Sequence, residues 1–340
     1  MIHFQGVALR SAYFTLALLA GIFGIALALS ADAATMARTK QTGAPIIRGT
    51  KTRLVDIPYA ENILFSTDGR LFVSGGTNVF EIVRDDSAGG SGYRGVPLYD
   101  GTGNFTGVAQ IGSVLYAATF DGGLYAARLD QVPLALTPIH ALGITSANGM
   151  AAGPDGELYI INGPLPVGGP RPAPKIVRVR FAQDDPLTVT EQVDWLKSGL
   201  LIPNGLRSRG RMLYVTDASL RPFSVGAITT VRIRADGSPG TPRLFASVSL
   251  SPLDDIGLDG ESFLTAIIYG RALAKIDRKG KVIARTADGS FDLPSSVAIG
   301  QPPLFDQSVW LVTEKGPLNG SPTSTYGNAL SLFKPDMAWR

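Results

Sequence analysis

Apolar and polar residues alternate over most of the chain in short runs, and the runs come in pairs joined by glycine-containing turns. "YAENILFSTDGRLFVSGG" (59–76) shows the unit: a polar anchor, an apolar strand, a turn, a second apolar strand. Period-two alternation over runs this short predicts β-strands. The unit recurs as "NFTGVAQIGSVLYAATF" (104–120), "SANGMAAGPDGELYIING" (146–163), "IPNGLRSRGRMLYVTD" (202–217) and "PLDDIGLDGESFLTAII" (252–268). The sixth, "PSSVAIGQPPLFDQSVWLVTE" (294–314), has a longer turn. Corresponding anchors are Glu61, Gly107, Asn148, Asn204, Asp254 and Ser296, spaced by 46, 41, 56, 50 and 42 residues.

Further strands lie between the units, among them "NVFEIV", "GLYAARL", "KIVRVRF", "TTVRIRA" and "ALAKID". Helical periodicity is almost absent; the one candidate is short, around Thr190–Leu200. Four short strands per unit and a period in the forties to fifties describe the blade of a β-propeller. Six units predict an all-β, six-bladed β-propeller in one domain over residues 51–340. A pair of β-sandwiches would leave the period unexplained.

The first 33 residues follow a different pattern. Arg10 precedes an apolar run from Tyr13 to Leu29, and Ala31 and Ala33 then form a small-x-small site. This is the layout of a signal peptide cleaved near Ala33. A membrane anchor over residues 13–29 is the alternative, but five Lys or Arg follow between Arg38 and Arg53, a poor fit to an uncleaved anchor. Either reading exports the chain to the periplasm or the exterior, with residues 34–50 as a linker. Once the signal is removed, no membrane association is expected. The chain has no cysteine, which excludes disulfides and thiolate metal sites. A formal net charge of +3 over 340 residues does not point to nucleic acid. The expected partner is a small-molecule substrate, and oligomeric state is not legible.

In a propeller the first strand of each blade lines the central channel. Glu61, Asn148, Asn204 and Asp254 therefore begin equivalent strands facing one axis, with Asp255 directly after. Singly, Asn-Gly and Asp-Asp are ordinary turn chemistry. Together they gather three carboxylates and two amide oxygens, all hard donors suited to calcium or magnesium. Three carboxylates so close would repel one another without a cation.

The chain resembles the senescence marker protein, gluconolactonase and paraoxonase superfamily of six-bladed propellers, with strictosidine synthase as a relative. The resemblance covers most of residues 50–335 and is carried by "AENILFSTDGRLFVS", "ANGMAAGPDGELYI", "PNGL…MLYVTD" and "LDDIGLDGESFLTAI". It implies one divalent cation held by Glu61, Asn148, Asn204 and Asp254, with Asp255 as the additional ligand of paraoxonase-like members. Calcium is the first expectation; magnesium, manganese and zinc are alternatives. Asn62 and Gly149 stand where paraoxonases carry acidic residues for a second calcium. Apart from His3 in the signal, His140 is the sole histidine, in an outer-strand context, so it reads as structural.

Strand direction puts the loops after each second strand on the cation's face: 74–78, 162–175, 217–226, 267–271 and 314–328. Arg171, Arg221, Phe223, Tyr269 and Tyr326 are candidate pocket walls there. Arg207, Arg209 and Arg211 read as a solvated turn on the opposite face. The expected function is an exported, metal-dependent lactonase or esterase-like hydrolase, with Asp254 as the catalytic carboxylate. A non-catalytic propeller binding a small ligand or protein partner, and a strictosidine-synthase-like activity, are the alternatives.

Overall fold

The computed structural model describes residues 43–87, 91–163, 173–220, 222–316 and 321–336. The signal or anchor segment 1–33, Arg171 and Arg221 lie outside the described residues, as does most of the 162–175 loop.

The described chain from Ile46 onward forms six small sheets, antiparallel except for one added strand, and no helix. Blade one runs from its inner strand Ile63–Phe65 to its outer strand Tyr93–Pro97. Blades two to five begin on Phe105–Ile111, Ala147–Ala152, Leu206–Arg209 and Leu253–Asp259, and each meanders outward in sequence order. Blade six has three strands from the C-terminal region, Pro294–Ile299, Trp310–Glu314 and Ala329–Pro335. Its fourth, Gly49–Asp56, comes from the other end of the chain and pairs antiparallel with Ala329–Pro335. That pairing ties the N-terminal strand to the last blade as its outer edge strand and closes the ring. Ile46–Ile47 adds a parallel fifth strand to blade five. The β structure thus begins inside the stretch read as a linker.

Six apolar clusters sit between blades, one per junction. Tyr116, Leu124, Ile160 and Val177 join blades two and three; Leu54, Leu71, Leu311 and Leu330 join blades six and one. Leu264, Phe291, Val297 and Trp310 fill the junction of blades five and six. Each sheet therefore buries both faces against its neighbours, which explains its short, dense apolar runs. The segment expected to be helical is the outer strand of blade three, Val189–Leu196. Its side chains alternate between more and less exposed before Trp195 and Leu196 turn inward, a two-residue period that a helix would not present.

Candidate metal and catalytic site

The inner strands start close together because glycine lets their backbones touch. Gly149 N–H donates to Asn204 O (2.9 Å), and Gly205 N–H donates to Asp254 O (3.0 Å). These bonds tie blade three to four and four to five at the level of the anchors. A Cβ on Gly205 would lie 2.5 Å from both Cα and Oδ1 of Asp255, and one on Gly149 would lie 2.4 Å from Leu206 N. Asn148-Gly149 lies within the strand Ala147–Ala152 and Asn204-Gly205 directly precedes Leu206–Arg209, so both pairs sit at blade junctions, not in turns. Hydroxyls complete the stitching. Thr106 Oγ1 donates to Ala147 O (2.8 Å), Thr313 Oγ1 to Glu61 O (2.8 Å) and Thr216 Oγ1 to Asp254 O (2.5 Å).

The anchors gather at this level. Glu61 and Asp254 are buried and within electrostatic reach of each other and of Asp255. The Asn204 amide hydrogen-bonds the Asp254 carboxylate. Glu61 Oε1, Asn148 Oδ1, Asn204 Oδ1 and Asp255 Oδ1 are buried and accept no hydrogen bond. Buried polar atoms are ordinarily paired, so a group of orphans at one level of the channel is a strong anomaly. Burial raises the Glu61 carboxyl above the usual carboxylate range, against the pull of the Lys315 ammonium. Burial and then the Glu61 charge raise Asp254 well above it. Among the described residues, no three carboxylates or imidazoles form a metal cluster by themselves. The constellation is a mixture of carboxylates and amides.

Two cations on the axis were not legible as such. Arg207 does not lie in a solvated turn. It alternates inward from the short strand Leu206–Arg209, and its Nη2 donates to Asp255 Oδ2 (2.5 Å) and to Ile63 O (3.2 Å) of blade one. Ser296 Oγ donates to the same Asp255 oxygen (2.7 Å). Burial still raises the Asp255 carboxyl, with Arg207 and Ser296 opposing it. Arg209 and Arg211 behave as surface groups. Arg209 reaches backbone carbonyls of Gly260 and Glu261, and Arg211 pairs with Asp155 at 2.9 and 3.0 Å.

The second cation is Lys315, which follows the second strand of blade six. Its Nζ makes a close ion pair with Glu61 Oε2 and lies 3.9 Å from Asp254 Oδ2. Burial disfavours its charge, but Glu61 and Asp254 outweigh that and hold its pKa above the ordinary lysine value. Lys315 lies in one of the loops expected on this face, so its approach to Glu61 agrees with the expected strand direction. Tyr269 shares that face. It is 55% exposed and senses both Lys315 and Asp254, and burial of its hydroxyl raises its pKa. Tyr326 is partly exposed, with the Arg271 guanidinium 5.3 Å from its ring centroid. Phe223 is half-buried at the start of Phe223–Arg232, paired with Leu220. His140 Nε2 meets Gln192 Oε1 at 2.8 Å between outer strands, far from this chemistry in role. A separate concavity of ≈ 320 Å³, lined by Gly143, Thr145, Lys175, Asp194 and others, involves none of the orphaned oxygens.

No protein-family model and no curated protein sequence matches the chain. Solved structures do match. Regucalcin from Agrobacterium tumefaciens strain C58, a calcium-binding protein, aligns with a TM-score of 0.61 at 18% identity, covering 86% of this chain and 94% of its own. A putative gluconolactonase aligns at 0.61 with 15% identity, covering 85% and 92%. Luciferin-regenerating enzyme aligns at 0.59 with 15% identity, covering 84% and 95%. The class the fold defines is the six-bladed β-propeller. At these identities it is the fold that this chain shares with regucalcin and the gluconolactonase-like propellers.

Proposed function

We propose that the chain is a divalent-cation-dependent hydrolase of lactones or related esters, with calcium the first candidate ion. The observation that carries this reading is the group of buried, unpaired oxygens on Glu61, Asn148, Asn204 and Asp255. With Asp254 they make a hard-oxygen donor set, and calcium accepts six to eight such oxygens, water and substrate included. Bound there, the cation would polarise a carbonyl oxygen and lower the barrier to attack by water.

The chain's own residues supply the rest. Asp254 stands beside the Asn204 amide at the cation site, which suits its carboxylate to take a proton from an attacking water. Arg207 spans from Asp255 to blade one, so substrate would enter from the face of Lys315 and Tyr269. The similarity in fold to a calcium-binding protein and a putative gluconolactonase supports the reading. A non-catalytic ligand-binding propeller is the second reading, favoured by the ammonium of Lys315 among the carboxylates. The reading includes export by residues 1–33, which the N-terminal mass of the mature protein would test.

The discriminating experiment is metal analysis of the purified protein, followed by a lactone and ester panel with and without chelator. Chelator-sensitive turnover with a bound divalent ion is expected. Tight ligand binding without turnover would favour the second reading.

A further inference from the structure

Charge on the axis is unevenly divided. Arg207 is dedicated to Asp255, an oxygen of which also takes the Ser296 hydroxyl. Glu61 and Asp254 remain, two negative charges facing the single ammonium of Lys315. One positive charge does not balance them, and a divalent cation would. The fit of the ammonium is also incomplete. It meets Glu61 Oε2 closely, yet stands 3.9 Å from Asp254 and leaves Glu61 Oε1, Asn148 Oδ1 and Asn204 Oδ1 without a partner.

The backbone around Lys315 is held while its side chain reaches solvent. Lys315 N–H donates to Leu293 O (3.0 Å), Gly316 N–H donates to Asp292 O (3.2 Å), and Gly316 packs against Gly327. The side chain is 24% exposed, against 3% for Glu61. A long lysine stem can carry the ammonium outward by rotation alone.

We infer that Lys315 is a tethered competitor for the cation site: its ammonium pairs with Glu61 in the metal-free protein and must leave Glu61 when a divalent cation binds. The inference rests on the cation reading above. Calcium needs its oxygens at about 2.3–2.6 Å, so an ion bound to Glu61 Oε2 would share that oxygen with a like-charged neighbour. The device would set an affinity threshold, keeping the site from closing on trace metal and holding its carboxylates together in the absence of metal.

The test is calcium titration by calorimetry on the full chain, comparing wild type with Lys315→Met and Lys315→Gln, each checked by thermal melting for folding. Loss of a charged hydrogen-bonded competitor should tighten calcium binding by about tenfold or more in both variants. Acylation of Lys315 by an amine-reactive reagent, read by peptide mass spectrometry, should rise severalfold when calcium is added to wild type. If wild type binds calcium and the variants bind it equally or more weakly, the inference fails while the cation site stands. It fails likewise if Lys315 acylation is unchanged by bound calcium. If folded wild type and folded variants all fail to bind calcium, the cation reading itself falls, and the inference with it.

Discussion

Arg207 and Asp255 join blades four and five inside the channel, with Nη2 2.5 Å from Oδ2 and the Asp255 side chain 1% exposed. A pair this buried is dominated by what happens when one member is lost. Arg207→Met should leave an uncompensated carboxylate and cost about 3–5 kcal/mol in chemical denaturation. Arg207→Met combined with Asp255→Asn should recover much of that loss. A single variant as stable as wild type would show that the pair is not structurally important.

Gly205 tests why the anchors can converge. A methyl group there would fall within 2.5 Å of the Asp255 backbone and carboxylate. Overpacking of this kind typically costs about 1–3 kcal/mol. Gly205→Ala should lower the denaturation midpoint and also weaken calcium binding, because blades four and five must separate at the level of Asn204 and Asp254. Gly112→Ala, in a turn with open space around it but a positive φ, should cost stability without touching calcium binding.

The propeller was legible because its blades share one hydrophobic period, and that period alone places the inner strands. Glu61, Asn148, Asn204 and Asp254 followed from register. Four features did not. Gly149 and Gly205 resemble turn formers in sequence, yet the reason for them is a neighbouring backbone from another blade. Arg207 sits in a basic stretch whose outer members are surface groups; only alternation within a four-residue strand turns it inward. Lys315 directly follows the strand Trp310–Glu314, and no local pattern encodes its pairing with Glu61 of another blade. The closing strand Gly49–Asp56 was missed because it is mostly exposed, so it lacks the apolar runs that marked the others.

The pH dependence of the metal-free protein follows from the site carboxylates. Glu61, Asp254 and Asp255 are all raised, chiefly by burial. Between the unfolded value of about 4 and the higher folded values, the native state binds more protons than the unfolded chain, so these groups lower stability as pH rises. Lys315 is raised from a value far above this window and stays charged throughout it. Asp254→Asn removes the largest of these effects. In chelator, its melting temperature relative to wild type should climb as pH is raised from 4 toward 8. A constant difference across that range would contradict the raised Asp254 pKa.

Calcium itself should act through the same carboxylate. An ion that binds only the native state at a free concentration 100 times its dissociation constant adds about 2.7 kcal/mol. For a domain this large that is a rise of several degrees in melting temperature. Asp254→Ala should abolish the rise, because it removes one of the two charges that Lys315 and Arg207 leave to the ion. The same variant should melt no lower than wild type in chelator, since the lost carboxylate was buried and repelled by Glu61. The expected signature is therefore a crossing: the variant matches or exceeds wild type without calcium and falls below it with calcium. If Asp254→Ala keeps the full calcium-induced rise, the ion binds elsewhere, and the orphaned oxygens of Glu61, Asn148 and Asn204 need another explanation.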